Sequence, residues 1–197
     1  MLQSSIKAPV TRIISPMCRG LLKAGISPNL MSAFGGIGAT LSALLLFSSG
    51  HLFAAVMATT FFVLFDLFDG TMARLSGNVS SWGAVLDSTL DRISDAAIFA
   101  SLALWLNKTH DRLAPLALCI LIMSSLISYI KARAEALDIP CNGGFAERTE
   151  RLIIVLVAAG FCGLGVRYIL AIGLWLLSIL CIMTVFQRLI IVFKGAR

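Results

Sequence analysis

Ten residues of the chain are Asp or Glu, and five of them, Asp66, Asp69, Asp87, Asp91 and Asp95, crowd into a 30-residue window of largely apolar sequence. A carboxylate at mid-bilayer costs about 2.5 to 3.5 kcal/mol on insertion scales, less toward the interface. The cluster therefore needs compensation from metal, basic partners or water. Residues three or four apart on a helix are separated by about 40 to 60 degrees around its axis. Asp66, Asp69, Gly70 and Ala73 accordingly share one helix face, with Arg74 at its edge, and Gly83, Asp87, Asp91 and Asp95 share a face of the next helix. The short 76–81 connection makes the two helices antiparallel neighbours, so that four carboxylates face one another. Oxygen-only ligands with no His or Cys nearby favour hard divalent cations such as Mg²⁺ or Mn²⁺, and four acids suit two ions. Gly70, Ala73 and Gly83 lack bulk where a ligand would approach; Gly83 alone reads equally well as a packing residue.

The elements that must carry these residues are membrane helices. Of 197 residues 58% are hydrophobic and 13% charged, mean hydropathy is +0.94, and an ordinary soluble domain carries about 25% charged residues. This composition excludes a disordered chain, and apolar stretches of about 20 residues, each able to cross ~30 Å of hydrocarbon, recur along it. The pattern predicts an all-α, polytopic membrane protein with six transmembrane helices, at 28–49, 52–75, 82–106, 113–137, 148–165 and 168–193. With no room for a second domain, 1–197 reads as one membrane domain, an interfacial amphipathic helix in 1–26 and a six-helix bundle in 27–197. Ser27 can cap the first span, with Pro28 where a missing N–H costs nothing. Gly35 with Ala39, and Gly36 with Thr40, form small-xxx-small pairs suited to close helix packing.

Ahead of that span, Leu2, Ile6, Val10, Ile13, Ile14, Met17 and Leu21 recur at helical spacing opposite Arg12, Arg19 and Lys23. That is the pattern of a helix lying in the membrane interface, with Pro9 and Pro16 imposing a break or a later start. The same 23 residues, with two prolines and four basic side chains, lack the unbroken apolar core of a cleavable signal, so the amino terminus is expected to be retained.

Net charge is +6, from 16 Lys and Arg against 10 acids. The basic residues form no exposed run and mostly flank apolar segments, which favours membrane lipid or a phosphorylated substrate as partner over nucleic acid. One side of the six predicted spans collects Lys7, Arg12, Arg19, Lys23, Arg74, Lys131, Arg133, Arg148, Arg151, Arg188, Lys194 and Arg197; the other holds Lys108, Arg112 and Arg167. The rich side is expected to be cytoplasmic, giving a multi-pass protein of the cell membrane with both termini and the carboxylate cluster on that side. Arg92 is left inside the third span with Asp95 as its nearest local partner. Cys18, Cys119, Cys141, Cys162 and Cys181 form no CxxC pair and read as packing residues rather than a zinc site or disulfide framework.

The run Asp66-x2-Asp69-Gly70-x2-Ala73-Arg74-x8-Gly83-x3-Asp87-x3-Asp91 resembles, at every fixed position, the signature of the CDP-alcohol phosphotransferases. These integral membrane enzymes move a substituted phosphate from a CDP-linked donor to an alcohol and release CMP. The resemblance implies that Asp66, Asp69, Asp87 and Asp91 bind a dinuclear centre of two Mg²⁺ ions, with Mn²⁺ as a substitute, and that Asp91 is also the general base. It implies further that Gly70, Ala73 and Arg74, alongside Asp66 and Asp69, hold the donor. Phosphoryl-type transfer gains mainly from positioning and charge neutralisation, which suits these roles, and Arg74 offers a planar fork for phosphate. Members often carry a Pro-Asn stretch like that of Pro28 and Asn29; with Ser32 it lies at a helix start whose N–H groups can take a donor phosphate. Ser80 is a weaker donor contact. Asp95, outside the signature, reads as a structural partner of Arg92 or of a polar neighbour.

Acceptor choice falls to the remaining polar groups. Ser124, Ser128, Lys131 and Glu135 share a face of the fourth span, and Arg133 points almost opposite, toward headgroups. Arg148 and Arg151 open the fifth span and Arg188 closes the sixth. Lys131, Arg148 and Arg151 together suggest an anion pocket, to which Ser128 and Arg188 belong by placement; Arg188 taken alone reads first as positive-inside decoration. The segments 127–135 and 143–152 are similar to those of the actinobacterial phosphatidylinositol-phosphate synthases within the family. That similarity implies transfer from CDP-diacylglycerol to inositol 1-phosphate, a phosphorylated polyol, and a homodimer. The nearest alternatives are a phosphatidylglycerol-phosphate synthase or an archaeal ether-lipid counterpart. A cation-coupled transporter, from a different class, would not need Gly70, Ala73 and Arg74 at fixed offsets, and the chain shows no repeated half.

Overall fold

The computed structural model of the chain describes residues 14–77 and 80–196, and the regular structure among them is entirely helical. Residues 14–23 form α1. There follow α2 (Pro28–Ser42), α3 (Leu52–Val63), α4 (Phe65–Ser76), α5 (Ser81–Lys108), α6 (Ala114–Glu135), α7 (Arg148–Gly163) and α8 (Arg167–Gly195), with α2 running on into a wider π-helical turn over Ala43–Phe47. Among the described residues, four stretches are long and apolar enough to cross a bilayer: Pro28–Phe47, Leu52–Ser76, Ala114–Glu135 and Arg167–Gly195. The hydropathy pattern predicts six. The other two candidates differ from these for separate reasons: α5 has 28 residues but carries Asp87, Asp91, Arg92 and Asp95, and α7 has only 16. The first half of the predicted interfacial helix, residues 1–13, lies outside the described residues.

The helices fall into two compact units, one drawing on residues up to Leu41 and on Ala58–Ser94, the other on Ser42–Met57 and the chain from Asp95 onward. In the first unit, Ser27 Oγ accepts the Leu30 N–H at 3.2 Å and Pro28 opens α2, the predicted cap. Gly35 and Gly36 are packing residues, as their spacing predicts. A Cβ on Gly35 would stand 2.9 Å from Phe65 Cβ, and one on Gly36 only 2.7 Å from Leu90 Cβ, so α2 lies hard against both α4 and α5. The predicted second span is not one rod. It breaks at Leu64, where a tight hydrogen bond runs from Leu67 N–H to the Leu64 carbonyl at 3.1 Å. Phe34, Phe61, Phe62, Phe65 and Phe68 gather around this break, with edge-on contacts between Phe34 and Phe65 (5.2 Å) and between Phe61 and Phe65 (5.3 Å).

α1 lays Ile14, Cys18, Leu21 and Leu22 onto Met31, Met72, Phe65 and Phe68. Met17, expected on the apolar side, is 61% exposed. The buried stripe follows i, i+4, i+7 and i+8 from Ile14, and position 17 sits just off its edge.

In the second unit α8 packs along α6 and α7, over a core that includes Ile120, Ile127, Val155, Leu174, Leu177 and Cys181. Gly173 lets α8 approach Ala158 of α7. All five cysteines are free. The α6–α7 connection turns at Gly143 (φ +111°) and Gly144 (φ +132°), angles that only glycine adopts without strain. A Cβ at Gly144 would also press on Thr184 Cγ2 at 2.6 Å.

Candidate active site

Two features of sequence bring the aspartate faces of α4 and α5 together. α4 ends at Gly77 in the left-handed conformation (φ +68°), the usual helix-closing role of glycine. α5 opens after Ser80, whose Oγ accepts the Gly83 N–H at 3.0 Å. As a result Asp66 and Asp69 of α4 and Asp87 of α5 each offer a carboxylate oxygen, all within 4.8 Å of one another. Asp69 is buried, and Ser32 Oγ of α2 donates a hydrogen bond to its Oδ2. Carboxylates this close repel strongly where water is scarce. An all-oxygen donor set of that size fits a hard divalent cation, which offsets the repulsion. Asp91, one turn further along α5 and half-buried, stands outside this set of three; its main-chain carbonyl accepts from Ser94 Oγ at 3.1 Å.

The residues predicted to hold a donor divide in two. Among the described residues, no atom beyond Gly70's chain neighbours and its own helix backbone lies within 4 Å of where a Cβ on Gly70 would sit, so the face beside Asp66 and Asp69 is open there, with Ala73 half-buried one turn on. Gly83 is the opposite case. A Cβ there would stand 2.9 Å from Asn29 Oδ1 and 3.1 Å from Ser80 Oγ, so its missing side chain makes room for protein polar atoms. Arg74 is exposed and tied to its own helix by a hydrogen bond from Nη2 to Thr71 Oγ1 at 3.3 Å. Ser80, expected as a weaker donor contact, caps α5 through its bond from the Gly83 N–H.

The second unit holds a basic cluster. Arg151 and Arg188 are 2% and 4% exposed, depths at which a guanidinium must be hydrogen-bonded. Arg151 Nη1 donates to the Ala146 carbonyl at 2.8 Å and Nη2 pairs with Asp95 Oδ2 at 3.4 Å. Arg148 Nε pairs with Asp95 Oδ1 at 3.3 Å. Arg188 donates from Nε to the Gly143 carbonyl at 3.2 Å and from Nη1 to the Ile127 carbonyl at 2.6 Å. Burial of this kind overturns the reading of Arg188 as positive-inside decoration, since a charge placed for the membrane surface would stay in water.

The expected Arg92–Asp95 pair also gives way. Asp95 faces inward, 5% exposed, while Arg92 is exposed on another side of α5, and the arginines of α7 take the carboxylate instead. Lys131 Nζ lies 3.8 Å from Glu135 Oε1, both partly exposed, and Ser128 Oγ bonds back to the Ser124 carbonyl at 3.0 Å. Sequence reasoning missed the role of the 139–147 loop, whose carbonyls at Gly143 and Ala146 hold Arg188 and Arg151 and whose Ala146 N–H donates to Thr184 Oγ1 at 2.9 Å. The Gly143-Gly144 doublet was the available signal.

Comparison with known proteins gives a consistent result. The family described as CDP-alcohol phosphatidyltransferase matches residues 25–192. A phosphatidylinositol phosphate synthase of Mycobacterium tuberculosis is 47% identical over 189 residues, covering 93% of this chain and 87% of the relative. One from Streptomyces avermitilis is 40% identical over 201 residues, covering 98% and 82%. Among solved structures, the Mycobacterium tuberculosis phosphatidylinositol phosphate synthase with CDP-DAG bound is similar at TM-score 0.89 and 45% identity, covering 93% of this chain and 95% of that one. The same enzyme in complex with manganese and citrate is similar at TM-score 0.86 and 45% identity, covering 91% and 88%.

Proposed function

The chain belongs to the CDP-alcohol phosphatidyltransferase family, and from that membership we propose that it is a phosphatidylinositol phosphate synthase, transferring the phosphatidyl group of CDP-diacylglycerol to inositol 1-phosphate. The observation that carries this reading is the convergence of Asp66, Asp69 and Asp87 to within 4.8 Å inside the family signature. Relatives of that name, similar along nearly the whole chain, support the choice of acceptor.

Asp66, Asp69, Asp87 and Asp91 would hold the divalent ions, two Mg²⁺ or, in their place, Mn²⁺, the metal bound in a similar structure. When bound, such ions supply charge neutralisation at the pyrophosphate oxygens. Gly70 and Ala73 leave the nucleotide room, Asn29 and Arg74 bind its phosphates, and Ser32 steadies Asp69. Asp91 takes the proton of the acceptor hydroxyl as that oxygen bonds to the phosphorus bearing the diacylglycerol. The pyrophosphate P–O bond breaks and CMP leaves with the bridging oxygen. Arg148, Arg151 and Arg188, with Lys131 and Ser128, receive the phosphate that the acceptor already carries; planar guanidinium forks suit that group.

The reading extends to topology and assembly. α5 and α7 complete six spans in the cell membrane, 14–23 lies in the interface, both termini and the site face the cytoplasm, and the enzyme is a homodimer. The excess of basic residues on one side supports the orientation.

The test is an assay of CMP release by the purified protein from CDP-diacylglycerol with inositol 1-phosphate or glycerol 3-phosphate. The expected preference for inositol 1-phosphate is about tenfold or more in kcat/KM. Turnover with glycerol 3-phosphate alone would overturn the acceptor assignment and leave the family chemistry standing.

A further inference from the structure

Asp95 is the one acid of the 66–95 cluster that the signature does not use, and it is buried among cations rather than carboxylates. Each of its oxygens goes to a different arginine, Oδ1 to Arg148 Nε at 3.3 Å and Oδ2 to Arg151 Nη2 at 3.4 Å. We propose that Asp95 is a positioning residue for the acceptor, holding the guanidiniums of Arg148 and Arg151 as a preformed pair that receives the phosphate of the incoming polyol phosphate. The inference rests on the reading of those two arginines as acceptor ligands.

The physical case has three parts. Two guanidiniums side by side repel, and a carboxylate between them offsets that repulsion and removes rotamer freedom from two long side chains before the acceptor arrives. Their surroundings differ: the Arg151 side chain is 2% exposed and also held by the Ala146 carbonyl, whereas that of Arg148 is 20% exposed. One arginine is thereby locked into the protein and the other reaches toward water, with Asp95 linking the two. Finally, Asp95 engages Arg148 at Nε, so the grip fixes the direction of the fork near its base.

This role predicts a sign opposite to that of simple electrostatics. Replacing Asp95 by Asn removes a negative charge beside an anion site, which by charge alone tightens anion binding. Loss of preorganisation weakens it. In the purified full-length enzyme, Asp95→Asn is expected to raise the KM for inositol 1-phosphate about tenfold or more, the size of a lost charged hydrogen bond. The KM for CDP-diacylglycerol and its binding stay unchanged, and Asp95→Glu recovers part of the loss.

A double-mutant cycle provides the reading that a merely structural role would not produce. In an Arg148→Ala background, Asp95→Asn is expected to add little to acceptor KM, because the pair is already broken. An acceptor KM that falls or stays level in Asp95→Asn overturns the proposal, as does a rise in donor KM equal to that of the acceptor, or full additivity in the cycle. Should Asp95→Asn not fold, the cycle run with Asp95→Glu decides by the same criterion. Arg151→Lys separates the two layers. If it leaves acceptor KM unchanged, the acceptor-site reading itself is wrong; if it raises acceptor KM while Asp95→Asn does not, only the positioning role is lost.

Discussion

The carboxylates of the 66–95 window do not all meet the same neighbours, and the neighbours decide their use. Asp66, Asp69 and Asp87 converge on one another, Asp69 under a hydrogen bond from Ser32, and Asp95 is taken by two arginines. Asp91, one turn beyond Asp87 on α5, accepts a proton in the proposed reaction. For Asp91→Asn, CMP release is expected to fall by about 10²- to 10⁴-fold, the usual worth of a general base, with CDP-diacylglycerol binding retained. Near-normal release by that variant would strip Asp91 of the role. Gly70 and Gly83, alike in the signature, do different things: the first leaves open space and the second admits the Asn29 side chain.

At the scale of elements, α2 sets the spacing of the carboxylate helices. Gly35 meets Phe65 on α4 and Gly36 meets Leu90 on α5, and Leu90 precedes Asp91 directly. Between membrane helices there is little hydrophobic drive, so close backbone approach carries much of the association. Gly36→Ala is therefore expected to destabilise the detergent-solubilised protein by about 1 to 3 kcal/mol through overpacking, and to lower kcat by displacing α5. Gly20, with open space around its Cβ position on α1, is the control; Gly20→Ala is expected to gain about 0.5 to 1 kcal/mol from helix propensity. Equal thermal shifts for the two variants would remove the packing explanation. The break at Leu64 belongs to this scale as well. It starts a new helix at Phe65, so that Asp66 lies in the first turn of α4 and Asp69, Thr71 and Met72 are buried.

For the molecule as a whole, the number of crossings turns on α5 and α7, which are not among the four stretches of the described residues apolar enough to span. Six crossings put the α4–α5 and α5–α6 connections on opposite faces of the membrane; four leave them on the same face. In a cysteine-free background, Ser76→Cys is expected to react with an impermeant maleimide from the cytoplasmic side and Thr109→Cys from the other. Labelling of both from one side would rule out a spanning α5. The charge pattern also changes meaning at this scale. Arg151 and Arg188, both on the basic side by sequence, are buried and bound to carbonyls or carboxylate, and contribute nothing to the solvent-facing excess.

Local chemistry made much of this protein legible from its residues alone. Helical period placed Asp66 with Asp69, Ser27 and Pro28 marked the start of α2, and the small residues of α2 announced close packing, because each depends on neighbours a few positions away. Folding decided the partners. Nothing in the spacing distinguishes Arg92, three residues from Asp95, from Arg148 and Arg151, more than fifty residues away, and the local choice lost. Nor does it separate a surface arginine from Arg188, held by carbonyls of Gly143 and Ile127. Which charge is buried, and against what, depends on contacts distant in sequence, and such contacts exist only once the helices have packed.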